Sequence, residues 1–316
     1  KNVILILYTL KRILWVPFVM LIITLIVFIL GHYGPGDPVE VMLGNNYTEE
    51  LAESIREKKG LNDPLIVQYA RYVSGSITGD FGESYKYPGK TVIELLSPKL
   101  IVSAKLFLLS VLISTIFGIP LGFYAALKQG TPTDPAIVSL TLILYAMPVF
   151  LTAPLLIIIF ALELGWVPVS GWGGIFDKRA ILPAITVGLP GIAVIARLMR
   201  ASTLDVIGQE FITFAKAKGV DRFSINFKHV GRNAILPVVT VLGLSFSGML
   251  GGALIVELIF GIPGVARFAL DAIFSRDYPI IMALTLIGTA SLVVANLIVD
   301  ILYVFLDPRI KYTNEN

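Results

Sequence analysis

The chain has 316 residues, 56% of them hydrophobic and 15% charged, with a mean hydropathy of +0.83 and a formal net charge of +3. That balance is too apolar for an ordinary soluble domain, and its basic excess is too thin and scattered for nucleic-acid binding. The absence of cysteine excludes disulfides, thiolate metal sites and thiol catalysis.

Long unbroken apolar runs, each near the ~20 residues that cross ~30 Å of hydrocarbon, predict membrane-spanning helices rather than a barrel of short alternating strands. The expected architecture is an all-α polytopic membrane protein with six such helices and a small helical domain outside the membrane. Val3 to Arg12 reads as a short interfacial helix, followed by a first span over Ile13 to Gly31. The run is long for a signal peptide and lacks a small-x-small cleavage pattern, so it is expected to be retained. Residues 32–99 form the one sizeable polar domain. Thr48 is placed to cap a helix with Glu49 and Glu50 in its first turn, Lys58 and Lys59 in its last and Gly60 at its stop. A second helix is expected from Asp63-Pro64, with the aspartate as cap, to about Thr78 before Gly79.

Further spans are expected at Leu100 to Leu127, Ala136 to Leu164, Ile181 to about Met199, Ala234 to Ile259 and Pro279 to Leu306, which with the loops make up a core over 100–316. Pro190-Gly191 is expected to kink the fourth span. Between the last two, Val265, Phe268, Ala269, Ala272 and Ile273 have the spacing of a short amphipathic helix, which either dips back as part of a gate or rests on lipid.

With both termini inside, the inner side holds Lys1, Lys11, Arg12, Lys128, Arg200, Lys216, Lys218, Arg222, Lys228, Arg232, Arg309 and Lys311. The short outer loops hold only Lys178, Arg179, Arg267 and Arg276. This asymmetry predicts cytoplasmic termini, a cytoplasmic loop over 200–237 and an extracytoplasmic domain over 32–99.

No catalytic constellation is visible. Gly89-Lys90-Thr91 lacks the earlier glycine of a phosphate-binding loop, Ser84 standing in its place, and His32 and His229 lie on opposite sides of the membrane. Candidate pathway or gate residues are Ser245, Gly248, Gly252 and Glu257 in the small-residue-rich fifth span, with Arg267 and Asp271 in the amphipathic helix that follows. In the polar loop, Ile207, Phe211, Phe214 and Ala215, then Gly219, then Phe223, Ile225, Phe227 and Val230 predict two short helices broken at the glycine. Phenylalanines on a cytoplasmic surface ask for a partner.

The stretch ITFAKAKGVDRFSINFKHVGRNAILPVVTVLG resembles the signature loop of ABC importer permeases, in particular the dipeptide/oligopeptide branch. The resemblance extends to PGDPVEVMLG, KGLNDPLIVQYARYVSGSITGDFGESY, GGALIVELIFGIPGVARFALDAIFSRDYP and LDPRIKY, and the order of elements is that of the permease carrying the large outer domain. The signature positions fall at Thr213, Phe214, Ala215 and Gly219, then Leu236-Pro237. The acidic residue of the general pattern is absent, so no role for it is carried over.

The resemblance implies a type I importer permease fold in a prokaryotic inner membrane. This chain would form half of a pathway for di- or oligopeptides, the alternatives for the same machinery being oligosaccharides or nickel. Implied partners are a second homologous permease, two cytoplasmic ATPase subunits, an extracytoplasmic substrate-binding protein and membrane lipid. No cofactor is expected on this chain, and ATP and Mg belong to the ATPases. Coupling is expected through Glu210, Phe211, Phe214, Ala215, Lys218, Gly219 and Val220. A stand-alone secondary transporter and a membrane enzyme are the rivals; neither an internal repeat with a charged midplane site nor a catalytic pair is found for them.

Overall fold

The computed structural model describes residues 2–34, 37–248 and 253–306, and its regular structure is helical apart from an isolated bridge between Glu83 and Thr91. Helix α1 runs unbroken from Asn2 to His32, so no separate interfacial helix precedes the first span. Before Pro17 the sequence offers no glycine or proline to stop a helix, and extending one costs far less than starting a second. Helix α2 (Pro38–Leu43) is capped by Asp37, whose Oδ1 accepts the Val39 N–H at 2.8 Å. Helix α3 (Glu49–Lys58) is capped by the Thr48 hydroxyl as expected.

Helix α4 (Leu65–Thr78) begins one residue late, with Pro64 at the cap, because the Asp63 carboxylate is taken by Arg71 Nη2 at 2.6 Å. It stops at left-handed Gly79, and the N–H of Asp80 returns to the Gly75 carbonyl at 2.8 Å. Helix α5 (Val92–Leu127) starts well before Leu100. Thr91 and Glu94 explain the early start: each side chain accepts the other's backbone N–H, at 3.1 and 3.3 Å, in a capping box.

The third expected span is not one straight helix. Helices α6 (Thr133–Ala146) and α7 (Val149–Leu156) meet at a 102° bend, and α7 passes into a π-helical stretch over Ile157–Glu163. Pro148 causes the break, since it has no N–H to give and forces Met147 into an extended conformation with ψ 120°. Helix α8 (Ile181–Ile207) accommodates Pro190 and outlasts its expected end at Met199.

The loop that follows holds α9 (Glu210–Ala217), α10 (Arg222–Ser224), a π-helical stretch over Ile225–Gly231, and α11 (Arg232–Ala234). The fifth expected span is also divided. Helix α12 (Leu236–Ser245) ends in a 3-10 turn over Phe246–Gly248, and α13 (Leu254–Ile259) is a new helix. Each glycine in that run weakens a helix by about 1 kcal/mol relative to alanine. Helix α14 (Val265–Phe274) and the long α15 (Tyr278–Leu306) complete the order. Among the described residues four helices are long and apolar enough to cross a membrane, five if the bent α6–α7 pair is one span; the fifth expected span lies partly outside the described residues and is not among them.

Contacts group the described chain into two units. One comprises residues up to Ser103 together with Pro263–Leu297. Here Phe268 and Ala272 of α14 pack with Val92, Leu96, Ile280 and Ala283, and Val265 of the same helix is also buried. Helix α4 is tied to α1 by Tyr69, whose hydroxyl reaches both Thr24 Oγ1 and the Leu21 carbonyl at 3.0 Å. Asp277, fully buried, accepts from the Ser84 hydroxyl and from the N–H groups of Tyr85 (3.1 Å) and Lys86 (3.2 Å). Burial pushes the Tyr85 phenol up to about 12, with the Asp277 charge adding to the effect.

The other unit runs from Ala104 and includes Ala253–Ile262. Its centre is α8, which buries small residues such as Ala184, Ala193 and Ala196. Gly122 of α5 lies so close to α8 that a Cβ there would overlap the Ala196 carbonyl oxygen. Ser114 also donates to the Gly188 carbonyl at 2.8 Å. Small residues with a hydroxyl cross-link are how helices pack where lipid supplies no hydrophobic drive.

Candidate functional site

The loop over 200–237 folds as two short helical segments separated at Gly219, the arrangement its sequence predicts. Gly219 has φ +76°, and nothing lies within 4 Å of where its Cβ would be, so the requirement for glycine is backbone geometry rather than space. The second segment is started by Asp221, whose Oδ1 accepts the Ser224 N–H at 2.9 Å. That backbone bond, first among several, holds the Asp221 carboxyl below the usual carboxylate range.

One face of the loop is inward. Ile212, Ile225, Val230 and Ala234 are buried with Phe123 of α5 and Met199 of α8. Ile225 and Val230 are five residues apart, the repeat of the π-helical turn that carries them, which is why both face the core. Ala215 and Val220 pack at the edge of the same cluster. Of the expected coupling residues, these two are therefore held by the chain's own core and do not project from it.

Four phenylalanines of the loop are exposed, and one of them, Phe227, also touches the buried Phe123 ring with centroids 5.5 Å apart. Phe214 is 62% exposed, Phe223 67%, Phe227 55% and Phe211 44%. Phe223 and Phe227 are paired with ring centroids 4.6 Å apart, and Lys218 Nζ stands 4.6 Å over the Phe214 ring. Glu210 occupies the first turn of α9, where a carboxylate suits the helix dipole. Phe223 and Phe227 were absent from the expected coupling set, although their spacing of four residues places them on one face.

The loop is anchored where α8 enters it. Arg200 Nε and Nη2 donate to Asp134 Oδ1 and Oδ2 at 2.6 and 2.7 Å, joining α8 to the first turn of α6. Three residues earlier, the Arg197 guanidinium lies 4.9 Å from the Tyr145 ring centroid of α6. Both contacts tie the same two helices.

The candidate pathway residues are less uniform. Ser245 turns its hydroxyl back to the Leu242 carbonyl at 2.7 Å. Gly248 is exposed, and Gly252 lies outside the described residues. Glu257 is completely buried in α13, so its carboxylate faces protein, not an open passage. Arg267 and Asp271 are both exposed and stand one helical turn apart on α14. Among the described residues, no group of three or more His, Cys, Asp or Glu side chains is placed to hold a metal ion.

Comparison with known proteins finds similarity along nearly the whole chain. The family model described as "Binding-protein-dependent transport system inner membrane component" matches residues 118–312, and a model of the N-terminal part of such membrane components matches residues 5–89. A probable peptide ABC transporter permease protein of Sinorhizobium fredii is 38% identical over 96% of the chain and 99% of its own length. The oligopeptide transport system permease protein AppB of Bacillus subtilis is 37% identical over the same shares. The glutathione transport system permease protein GsiC of Escherichia coli is 35% identical, again over 96% of this chain and 99% of that protein.

Proposed function

The chain belongs to the family of binding-protein-dependent transport system inner membrane components, and on that premise we propose that it forms half of the pathway of an ATP-driven peptide importer. The observation that carries the peptide reading is the match along nearly the whole chain to permeases named for peptides, oligopeptides and glutathione, itself a small peptide.

In this reading the loop over 200–237 lies in the cytoplasm and docks on an ATPase subunit. Phe211, Phe214, Phe223 and Phe227 supply the apolar contact, supported by their exposure on a loop that is seated on the core through Ile212, Ile225 and Val230. Gly219 sets the angle between the two segments. Glu210 and Lys218 frame the patch, while Ala215 and Val220 keep it attached to the membrane helices.

Partnered with a second permease, two ATPases and an external binding protein, the chain alternates between inward and outward openings. ATP binding draws the ATPases together and the loops with them. Residues 1–31 anchor the chain, 32–99 lie outside the membrane toward the binding protein, and 100–316 form the permease core with both termini in the cytoplasm. The positive-inside asymmetry supports that orientation. ATP and Mg are handled by the ATPases, which bias the permease by binding its two states unequally.

The test is uptake of a labelled tripeptide into proteoliposomes containing the assembled importer. Uptake that requires the ATPase subunits, ATP and the binding protein is expected. Uptake by the permeases alone would overturn the coupled-importer reading.

A further inference from the structure

We propose that the cavity formed by α1, α15 and the polar segment between α1 and α5 is a binding site for a primary ammonium group, supplied by a peptide N-terminus or an aminophospholipid headgroup. The cavity encloses about 240 Å³ within one unit of the chain. It sits where the apolar run of α1 ends, at His32, and that of α15 begins, at Tyr278. Gly31 and Gly34 let these ends approach, since a Cβ at either would strike Met282 or the Tyr278 ring.

Two features of the lining select a cation. The first is aromatic: four of the lining residues, Phe28, His32, Tyr85 and Tyr278, are ring side chains. Aromatic faces carry negative potential and attract ammonium groups.

The second is the set of acceptors that the polar lining presents. Gln68 Nε2 donates to the carbonyls of Leu61 (2.9 Å) and Asp63 (2.8 Å), and Asn62 Nδ2 donates to Glu53 at 2.7 Å. Arg56 Nη2 donates to Asp37 at 2.5 Å, while its Nη1 lies 3.6 Å from Glu49 and 3.5 Å from Glu53. What these side chains still offer is acceptors: two amide oxygens and the remaining lone pairs of the Asp37 carboxylate. An ammonium has three donors and no acceptor, so it complements these oxygens.

Asp37 remains ionised in the physiological range. Burial alone would raise its carboxyl, but the Val39 N–H and Arg56 outweigh burial and hold it below its ordinary value.

The experiment uses the assembled importer in nanodiscs of phosphatidylglycerol, with trialanine and N-acetyl-trialanine as probes and saturation-transfer NMR as the readout. The free-amine peptide is expected to bind at least about tenfold more tightly than the acetylated one, a difference conventional titration resolves. Filling the cavity with Leu61→Trp, or neutralising it with Asp37→Asn, is expected to remove that preference.

In a second arm, native mass spectrometry compares retention of phosphatidylethanolamine by the unmodified and Leu61→Trp chains. Selective loss of that lipid from the variant identifies the headgroup as an occupant. Equal binding of both peptides together with unchanged lipid retention by Leu61→Trp would overturn the proposal. It does not rest on peptides being the cargo: failed peptide uptake with persistent ammonium binding would sink only the cargo reading.

Discussion

Arg200 grips Asp134 with two parallel hydrogen bonds of 2.6 and 2.7 Å, so α8 is pinned to α6 at the point where it passes into the exposed loop. Asp134 is almost fully buried, which makes the planar fork of the guanidinium the feature that matters. Arg200→Lys keeps the charge but loses the second bond, a change that is not conservative at a bidentate site. It is expected to cost about 1–3 kcal/mol of stability. Thermal unfolding in nanodiscs checks the magnitude, and ATP hydrolysed per peptide imported checks whether coupling loosens with it.

Gly219 gives the second prediction. Its φ of +76° strains any side chain by roughly 1–2 kcal/mol, most for a β-branched one, although the surrounding space is open. Gly219→Val is therefore expected to leave the membrane helices folded while abolishing copurification with the ATPase. Gly219→Asn, which tolerates the left-handed region, retains part of it. Equal copurification of wild type and Gly219→Val would count against the angle between the two segments being functional.

The two faces of the loop separate stability from docking. Phe214→Ser removes an exposed ring and is expected to change stability by less than about 0.5 kcal/mol while weakening ATPase binding roughly tenfold. Ile212→Ala, two residues away and buried, is expected to cost about 2–5 kcal/mol. Binding affinity and melting temperature measured on both variants decide it. A melting temperature that drops with Phe214→Ser would mean that the ring is part of the fold.

A further prediction concerns acid. The Arg179 side chain, helped by its backbone N–H, depresses the Asp177 carboxyl to about 2. A carboxyl held lower in the folded than in the unfolded chain stabilises the fold above the ordinary carboxylate value of about 3.9, and that contribution fades as pH falls toward 2. The ¹³C carboxyl resonance of Asp177 is expected to titrate near 2 and to return toward about 4 in Arg179→Gln. An unchanged midpoint would exclude the arginine as the cause.

Local signals are legible in the sequence. Thr48, Gly79 and Gly219 start or stop helices because caps and left-handed turns depend on neighbouring residues alone. The start of α5 could have been read the same way from Thr91 and Glu94. Apolar runs were weaker guides. Hydrophobicity says that a stretch avoids water and does not say whether it is straight, so the bend at Met147-Pro148 and the division of the fifth span were hidden within uniform composition. Pairings between distant residues, such as Arg200 with Asp134, leave no mark on spacing. Spacing likewise does not say that Ala215 packs at the edge of the buried cluster while Phe214 beside it is exposed.

Ser84 and Asp277 lie 193 residues apart in sequence, yet one carboxylate fastens the stretch from Ser84 to Lys86 to the residue that leads into α15. In a chain without cysteine this joint is the counterpart of a cross-link. If a protease cut the backbone between those points, the two pieces would still be laced together at Asp277. Unlike a covalent tie, the lacing is made of hydrogen bonds to a single carboxylate, so removing that one charge would loosen both strands of chain at once.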